Sequence, residues 1–298
     1  MKPETKTEIK QRSVESIIAP PTPHWVGNGF EVSGFFPNNR LSGERMSPFY
    51  LLDYNAKKTL PPSTVEHGVG PHPHRGFETV TIAYHGRVAH HDSHGGGGVI
   101  GEGDVQWMTA GSGLLHKEYH EEEFNRTGGD FQMVQLWVNL PARDKMTAPK
   151  YQAIKNSVMG RAPLENDGYV EVIAGEYAGV KGPAATHTPI HLYNVKAKKG
   201  TKVELDFPSG YTTAVLAVEG SATISGTDKL PLNNFALMAG DGEHFTLDVD
   251  DDGTFLVMSG EPLNEPIASY GPFLMNTGEE IIQAINDFQS GKFGYLAG

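Results

Sequence analysis

Residues 71–86 read PHPHRGFETVTIAYHG, and the β-branched and aromatic run Glu78–Tyr84 within them is a strand by composition. Comparable short runs recur at Val105–Thr109, Met133–Leu140, Tyr169–Ala174, His191–Lys196, Lys202–Phe207, Thr213–Val218, Ser221–Ile224 and Thr254–Met258. The 36 Gly and 20 Pro are spread among these runs as turn residues and not gathered into a linker. Short strands at this density predict an all-β chain of sandwich or barrel type. The one convincing helix lies at Glu279–Ser290, packed against a barrel: Ile281, Ile282, Ile285 and Phe288 share a 3.6-period face, and Thr277 with Glu280 forms a capping-box signature.

Working outward, TIAYHG at 81–86 matches VLAVEG at 215–220, and DVQWMTAGSG at 104–113 matches NNFALMAGDG at 233–242. Two similar β units in tandem follow from this repeat. The polar, proline-containing stretch Pro141–Pro163 marks the boundary between them. The expected organisation is an N-terminal extension at 1–24, an N-terminal barrel at 25–150, and a C-terminal barrel with the helix at 151–298.

Length and composition narrow the function. A chain of 298 residues suits two domains or one large β architecture. With 24 Lys and Arg against 36 Asp and Glu the net charge is −12, which argues against a partner held by phosphate neutralisation, nucleic acid included. The absence of Cys removes disulfides, thiolate metal sites, Fe–S clusters and cysteine nucleophiles. Residues 1–21 have no signal-peptide core, and no stretch approaches the roughly 18 apolar residues that span a bilayer. A cytoplasmic protein without a membrane partner is expected, in which the sequon at Asn125 has no role. Gly96, Gly98 and Gly101 match G-x-G-x-x-G formally, but they follow no parallel strand and open no helix, so dinucleotide binding is rejected.

The histidines point to a metal. Of 13, nine fall between His67 and His120. His72 and His74 are two apart and, on an extended segment, project to one face; His116 and Glu118 repeat that spacing. Two facing strands would thus bring three imidazoles and one carboxylate together, a set suited to a divalent first-row metal with open positions for water, substrate or dioxygen. Glu78 shares the parity of His72 and His74, either as a ligand or an acceptor behind one, or as an interior carboxylate bonded to Arg75 or a Tyr. His85, His90, His91 and His94 sit in the Gly-rich HGRVAHHDSHGGGG, read as a solvated hairpin loop from which His90 or His94 could reach a cavity mouth.

PHPHRGFETV at 71–80, GDVQWMTAGSGLLHKE at 103–118, QLWVNLP at 135–141 and GEPLNEPIASYGPFLMNT at 260–277 resemble the pirin family, with a likeness running from about Trp25 to Gly294. The resemblance implies a bicupin, two jelly-roll antiparallel β-barrels in tandem with a short C-terminal helix. It implies one divalent metal in the N-terminal barrel, iron(II) first and Mn, Co, Ni, Cu or Zn as alternatives, held by His72, His74, His116 and Glu118. The implied activity is that of a quercetin 2,3-dioxygenase: ring-opening oxygenation of a flavonol with release of carbon monoxide. Its partners would be a small aromatic substrate and dioxygen, and Glu118 would act as general base. Arg75 is a candidate for positioning substrate or for an exterior salt bridge.

At the repeat-equivalent positions the second barrel carries Asp206, Pro208, Thr212, Phe245 and Leu247, so a structural or interface role is expected for it. The N-terminal extension, the Gly/His-rich loop at 90–98 and the acidic stretch His120–Asp130 depart from the family pattern, and the last two bear on cavity access and substrate choice. A rival reading is a non-enzymatic, metal- or redox-sensing module that binds a protein partner. Another cupin chemistry on an enolizable substrate is a further one, and a purely structural bicupin is disfavoured by the complete ligand set. An apolar pocket beside the metal favours the enzyme, and deep burial without one favours the regulator.

Overall fold

The computed structural model describes residues 10–297. The all-β architecture expected from the sequence is found, with few and short helices. The chain divides into two compact units with interleaved segments. One contains residues 20–160, 182–189 and Leu263 onward; the other contains the described residues through Ala19, 161–181 and 190–262. No helix among the described residues is long and apolar enough to cross a membrane.

The first unit is built on two antiparallel sheets. A seven-stranded sheet runs in the order Lys150–Ile154, Val105–Thr109, Phe77–His85, Gly129–Asn139, Phe49–Leu60, Phe30–Phe36, His24–Val26. A four-stranded sheet runs Gly68–His74, Leu114–His120, Val88–Asp92, Gly97–Ile100. The strand Phe77–His85 is buried over its first seven residues, so both faces are covered and its near-continuous apolar run follows. Leu114–His120 instead alternates strictly, with Leu114, His116, Glu118 and His120 inward. Three of those four inward side chains are polar, an expensive arrangement unless they are paired or bind something. A core of Phe30, Val32, Ala83, Val88, Phe131 and Met133 lies below, each large apolar side chain contributing about 1.5–3 kcal/mol.

The helix Gly278–Gln289 has both hydrogen bonds of the Thr277–Glu280 capping box. Expected with the second barrel, it groups instead with the first unit. Of the expected inward face, Ile281 and Ile285 pack, with Ala284, against Phe273, Met275, Phe293 and Leu115, and the half-exposed Phe288 keeps ring contacts with Phe273 and Phe293 at 6.5 and 6.0 Å, whereas Ile282 is 60% exposed. The reason is an interior ion pair, Arg75 to Asp287 at 2.9 Å, which turns the Asp287 side of the helix inward. Arg75 also donates to the Ser112 carbonyl at 2.7 Å and lies 4.8 Å over the Phe293 ring. It is therefore an anchor for the C-terminal segment, neither a substrate cation nor an exterior salt bridge. Beside it Gly76 adopts φ +88°, and a Cβ there would meet the Leu274 carbonyl; this close approach requires glycine.

The second unit is a nine-stranded antiparallel sheet. The predicted runs Thr213–Val218 and Ser221–Ile224 are one strand, Thr212–Ile224, bulged against His244–Gly260. Part of the expected N-terminal extension belongs here: Val14–Ile18 pairs with Phe235–Met238, and buried Arg12 donates to the carbonyls of Gly242, Tyr211 and Pro208. Residues 1–9 of that extension lie outside the described residues. Phe245 and Leu247 fill this unit's apolar core, and Asp206 is taken up by His244 at 2.8 Å.

Candidate metal centre

Strand pairing sets the geometry. Leu114–His120 lies between Gly68–His74 and Val88–Asp92, with His116 opposite His72 on one side and Asp92 on the other. Pro71 and Pro73 are tolerated because Gly68–His74 is an edge strand. His72, His74 and His116 come together with ring centroids 4.2–4.8 Å apart, and their ligand atoms lie within 4.8 Å of one another. Between His116 and Glu118 the register slips, so that Glu118 faces Val69 and not Gly70. Opposite His90 in the strand Val88–Asp92, Glu118 groups with His116 and His90 in a second triplet within the same limit, joined to the first through His116.

The tautomers follow from the partners. His72 Nδ1 lies 2.9 Å from the Gly70 carbonyl and His74 Nδ1 3.3 Å from that of Pro272. A carbonyl only accepts, so both Nδ1 atoms carry the hydrogen and both Nε2 atoms keep a lone pair. His116 Nε2 is buried without a partner among the described residues. Burial holds His74 and His116 well below the usual imidazole range, with neighbouring histidines adding to it, and burial also lowers His72. Three neutral imidazoles, one with an orphaned buried nitrogen, fit a divalent cation.

Glu118 is held from the opposite side. Gln135 Nε2 donates to its Oε2 at 2.9 Å, Gln106 Nε2 donates to Oε1 at 3.3 Å, and Thr81 Oγ1 lies 3.1 Å from Oε1. The other N–H of Gln106 points to His90 Nδ1 at 3.1 Å. That makes His90 Nδ1 an acceptor whose single lone pair is shared between this N–H and that of His116 Nδ1 at 3.2 Å. His90 Nε2 then carries hydrogen and faces Asp92 at 3.8 Å. His90 is a buried strand residue, not part of a solvated loop; it orients His116.

The remaining histidines of that stretch stay apart. His85 neighbours Glu102 and Lys57, His91 stacks on Tyr119, and His94 is exposed. Glu78 is buried elsewhere, accepting from Thr109 Oγ1 at 2.7 Å with His187 at 3.9 Å; burial pushes its carboxyl up. Gln106, Gln135 and Thr81 were missed in the sequence, although each interrupts an otherwise buried strand run.

A cavity of about 380 Å³ opens on the cluster. His72, His74 and Glu118 line it together with Phe30, Met133 and Trp137. Trp137 is braced by Phe77 at 4.1 Å. Asp53, also absent from the sequence reading, lies in its wall, and burial pushes its carboxyl up to about 6.

Family models described as pirin and as pirin C-terminal cupin domain match residues 29–138 and 192–294. The chain is 51% identical, over 91% of its length and 94% of the relative's, to a Pseudomonas aeruginosa protein provisionally named a quercetin 2,3-dioxygenase. To pirin of Mus musculus it is 39% identical over 76% of its length and 78% of the relative's. The crystal structure of a quercetin 2,3-dioxygenase from Acinetobacter baumannii superposes with a TM-score of 0.92 at 50% identity, covering 97% of this chain and 100% of that one.

Proposed function

The chain belongs to the pirin family, and we propose that its first barrel is a metal-dependent dioxygenase that opens the heterocyclic ring of a flavonol such as quercetin, with release of carbon monoxide. The observation that carries this reading is the cavity of about 380 Å³ that joins the histidine cluster to an aromatic wall. Pockets of about 300–1,000 Å³ with an apolar lining and a few convergent polar groups are the usual small-molecule sites. The rival reading, a metal-sensing module for a protein partner, has no use for such a cavity.

His72, His74 and His116 would hold the ion, with Glu118 as the carboxylate ligand. Iron(II) is our first choice, and when bound it supplies Lewis acidity toward a substrate hydroxyl and redox chemistry toward dioxygen. The chain's own residues do the rest. Trp137 and Phe30 offer flat apolar surface to a planar polyphenol and exclude water from it. Glu118, held between two amide donors, accepts the proton of the flavonol 3-hydroxyl. Asp53 in the cavity wall, its carboxyl pushed up to about 6 by burial, is suited to pass that proton toward solvent.

The test is quercetin consumption under air by iron-loaded and metal-free protein, with trapped carbon monoxide measured beside flavonol absorbance. Metal-dependent release of one carbon monoxide per quercetin is expected, reduced about 10²-fold or more in Glu118→Gln. Full loading with each divalent metal and no turnover would overturn the enzyme reading.

A further inference from the structure

A row of polar side chains crosses the inner face of the seven-stranded sheet. Gln106, Thr81, Gln135 and Asp53 stand directly opposite one another on successive strands, with Gly34 opposite Asp53 on the next. Residues paired in this way share one face of the sheet. The first three hold Glu118. Asp53, one strand further on and so about 4.8 Å beyond Gln135, takes no part in that grip.

Alternation places Asp53 on the cavity. Met133, Gln135 and Trp137 on one neighbouring strand, and Phe30 and Val32 on the other, follow one another at intervals of two residues, and all line the cavity of about 380 Å³ together with Asp53. Gly34 continues the Phe30–Val32 series without a side chain. A Cβ there would stand 3.1 Å from Asp53 Oδ1, so the carboxylate occupies the cavity side of the sheet, in the space the glycine leaves. Among the described residues neither oxygen of Asp53 has a hydrogen-bond partner, and neither is sealed off from solvent. A carboxylate against an apolar wall costs free energy until a donor reaches it. With the flavonol 3-hydroxyl at the histidine cluster and Glu118, the group that can reach Asp53 is a hydroxyl elsewhere on the ring system. We propose that Asp53 is a specificity-determining residue that accepts a hydrogen bond from a phenolic hydroxyl remote from the 3-position, so that the cavity prefers polyhydroxylated flavonols to one bearing the 3-hydroxyl alone. This rests on the flavonol reading of the cavity.

Zinc-loaded full-length protein is titrated without air with quercetin and with 3-hydroxyflavone, the same ring system with no other hydroxyl. Quercetin should bind about 10- to 100-fold more tightly, the worth of a hydrogen bond to a charged acceptor. In Asp53→Ala the ratio of the two dissociation constants should fall about tenfold or more. Should that variant fail to fold, the nearly isosteric Asp53→Asn decides, with an intermediate ratio, because a neutral oxygen accepts more weakly. A role of Asp53 in proton transfer alone would lower turnover of both flavonols and leave this ratio unmoved. Equal affinities in the native protein, a ratio unchanged in the variants, or no binding of quercetin would each overturn the assignment. Carbon monoxide release by the iron-loaded protein is scored separately: turnover without an Asp53-dependent preference leaves the dioxygenase reading standing and removes this inference, and a preference without turnover does the reverse.

Discussion

Replacing His90 with phenylalanine removes both ring nitrogens but keeps the ring that stacks on Tyr151 at 5.3 Å. In the native chain His90 Nδ1 accepts from His116 and Gln106 at 3.2 and 3.1 Å, and all three side chains are fully buried. The variant removes the one acceptor that these two N–H groups share, a cost of about 1–3 kcal/mol before relaxation. More specifically, it frees the His116 ring to rotate away from the ligand geometry. Outer partners of this kind are worth about 10–100-fold in metal affinity, or about 1.4–2.7 kcal/mol. Competition for Co(II) or Zn(II) against a chromophoric chelator measures this directly. His90→Phe should still bind one ion at saturation, with Kd raised about 10–100-fold. An unchanged Kd would refute the orienting role, and loss of the ion even at saturation would place His90 among the ligands with His116 and Glu118.

Lys145 is buried and donates to the carbonyls of Gly76 and Leu274 and to Asn139 Oδ1 at 2.7–2.9 Å. Lys145→Met should destabilise by about 2–4 kcal/mol in guanidinium unfolding, because three acceptors lose their donor. Burial pushes the Lys145 amine down to about 7. The unfolded chain therefore binds this proton first, native stability falls as pH drops from 10.5 toward 7, and that slope should be absent from Lys145→Met. Asp53 gives the opposite sign: its carboxyl is about 6 in the folded chain against 3.8 ordinarily, so stability is fully present below 3.8 and lost as pH rises through 6. Asp53→Asn should flatten that window, worth on the order of 3 kcal/mol, in unfolding curves taken between pH 4 and 7.

Much of the fold was legible because buried strands write themselves as β-branched and aromatic runs. Val105–Thr109 and Tyr169–Ala174 end where the sequence places them. Phe49–Leu60 escaped because its second half, AKKTL, alternates with polar residues at a partly exposed end. The three histidines were legible through period-two spacing, which survives only while pairing is regular. The register slip that sets Glu118 opposite Val69, and the pairing that sets it opposite His90, are relations between distant segments that no local pattern encodes. His90 was misread for a related reason: four glycines follow closely, yet Val88, His90 and Asp92 share one strand parity and all three are buried. On the helix only Ile282 departs from the expected face, because hydrophobicity alone cannot reveal that Asp287 turns inward toward Arg75.

The account rests on the three-imidazole cluster holding a divalent ion, and the metal content of His116→Ala tests it most directly. After equilibrium dialysis against Fe(II) or Co(II) and elemental analysis, the native chain should carry one ion. His116→Ala, with its strand content confirmed by circular dichroism, should carry close to none, since both ligand triplets include His116. A folded His116→Ala that retains one ion per chain with unchanged affinity would contradict the assignment of the metal centre.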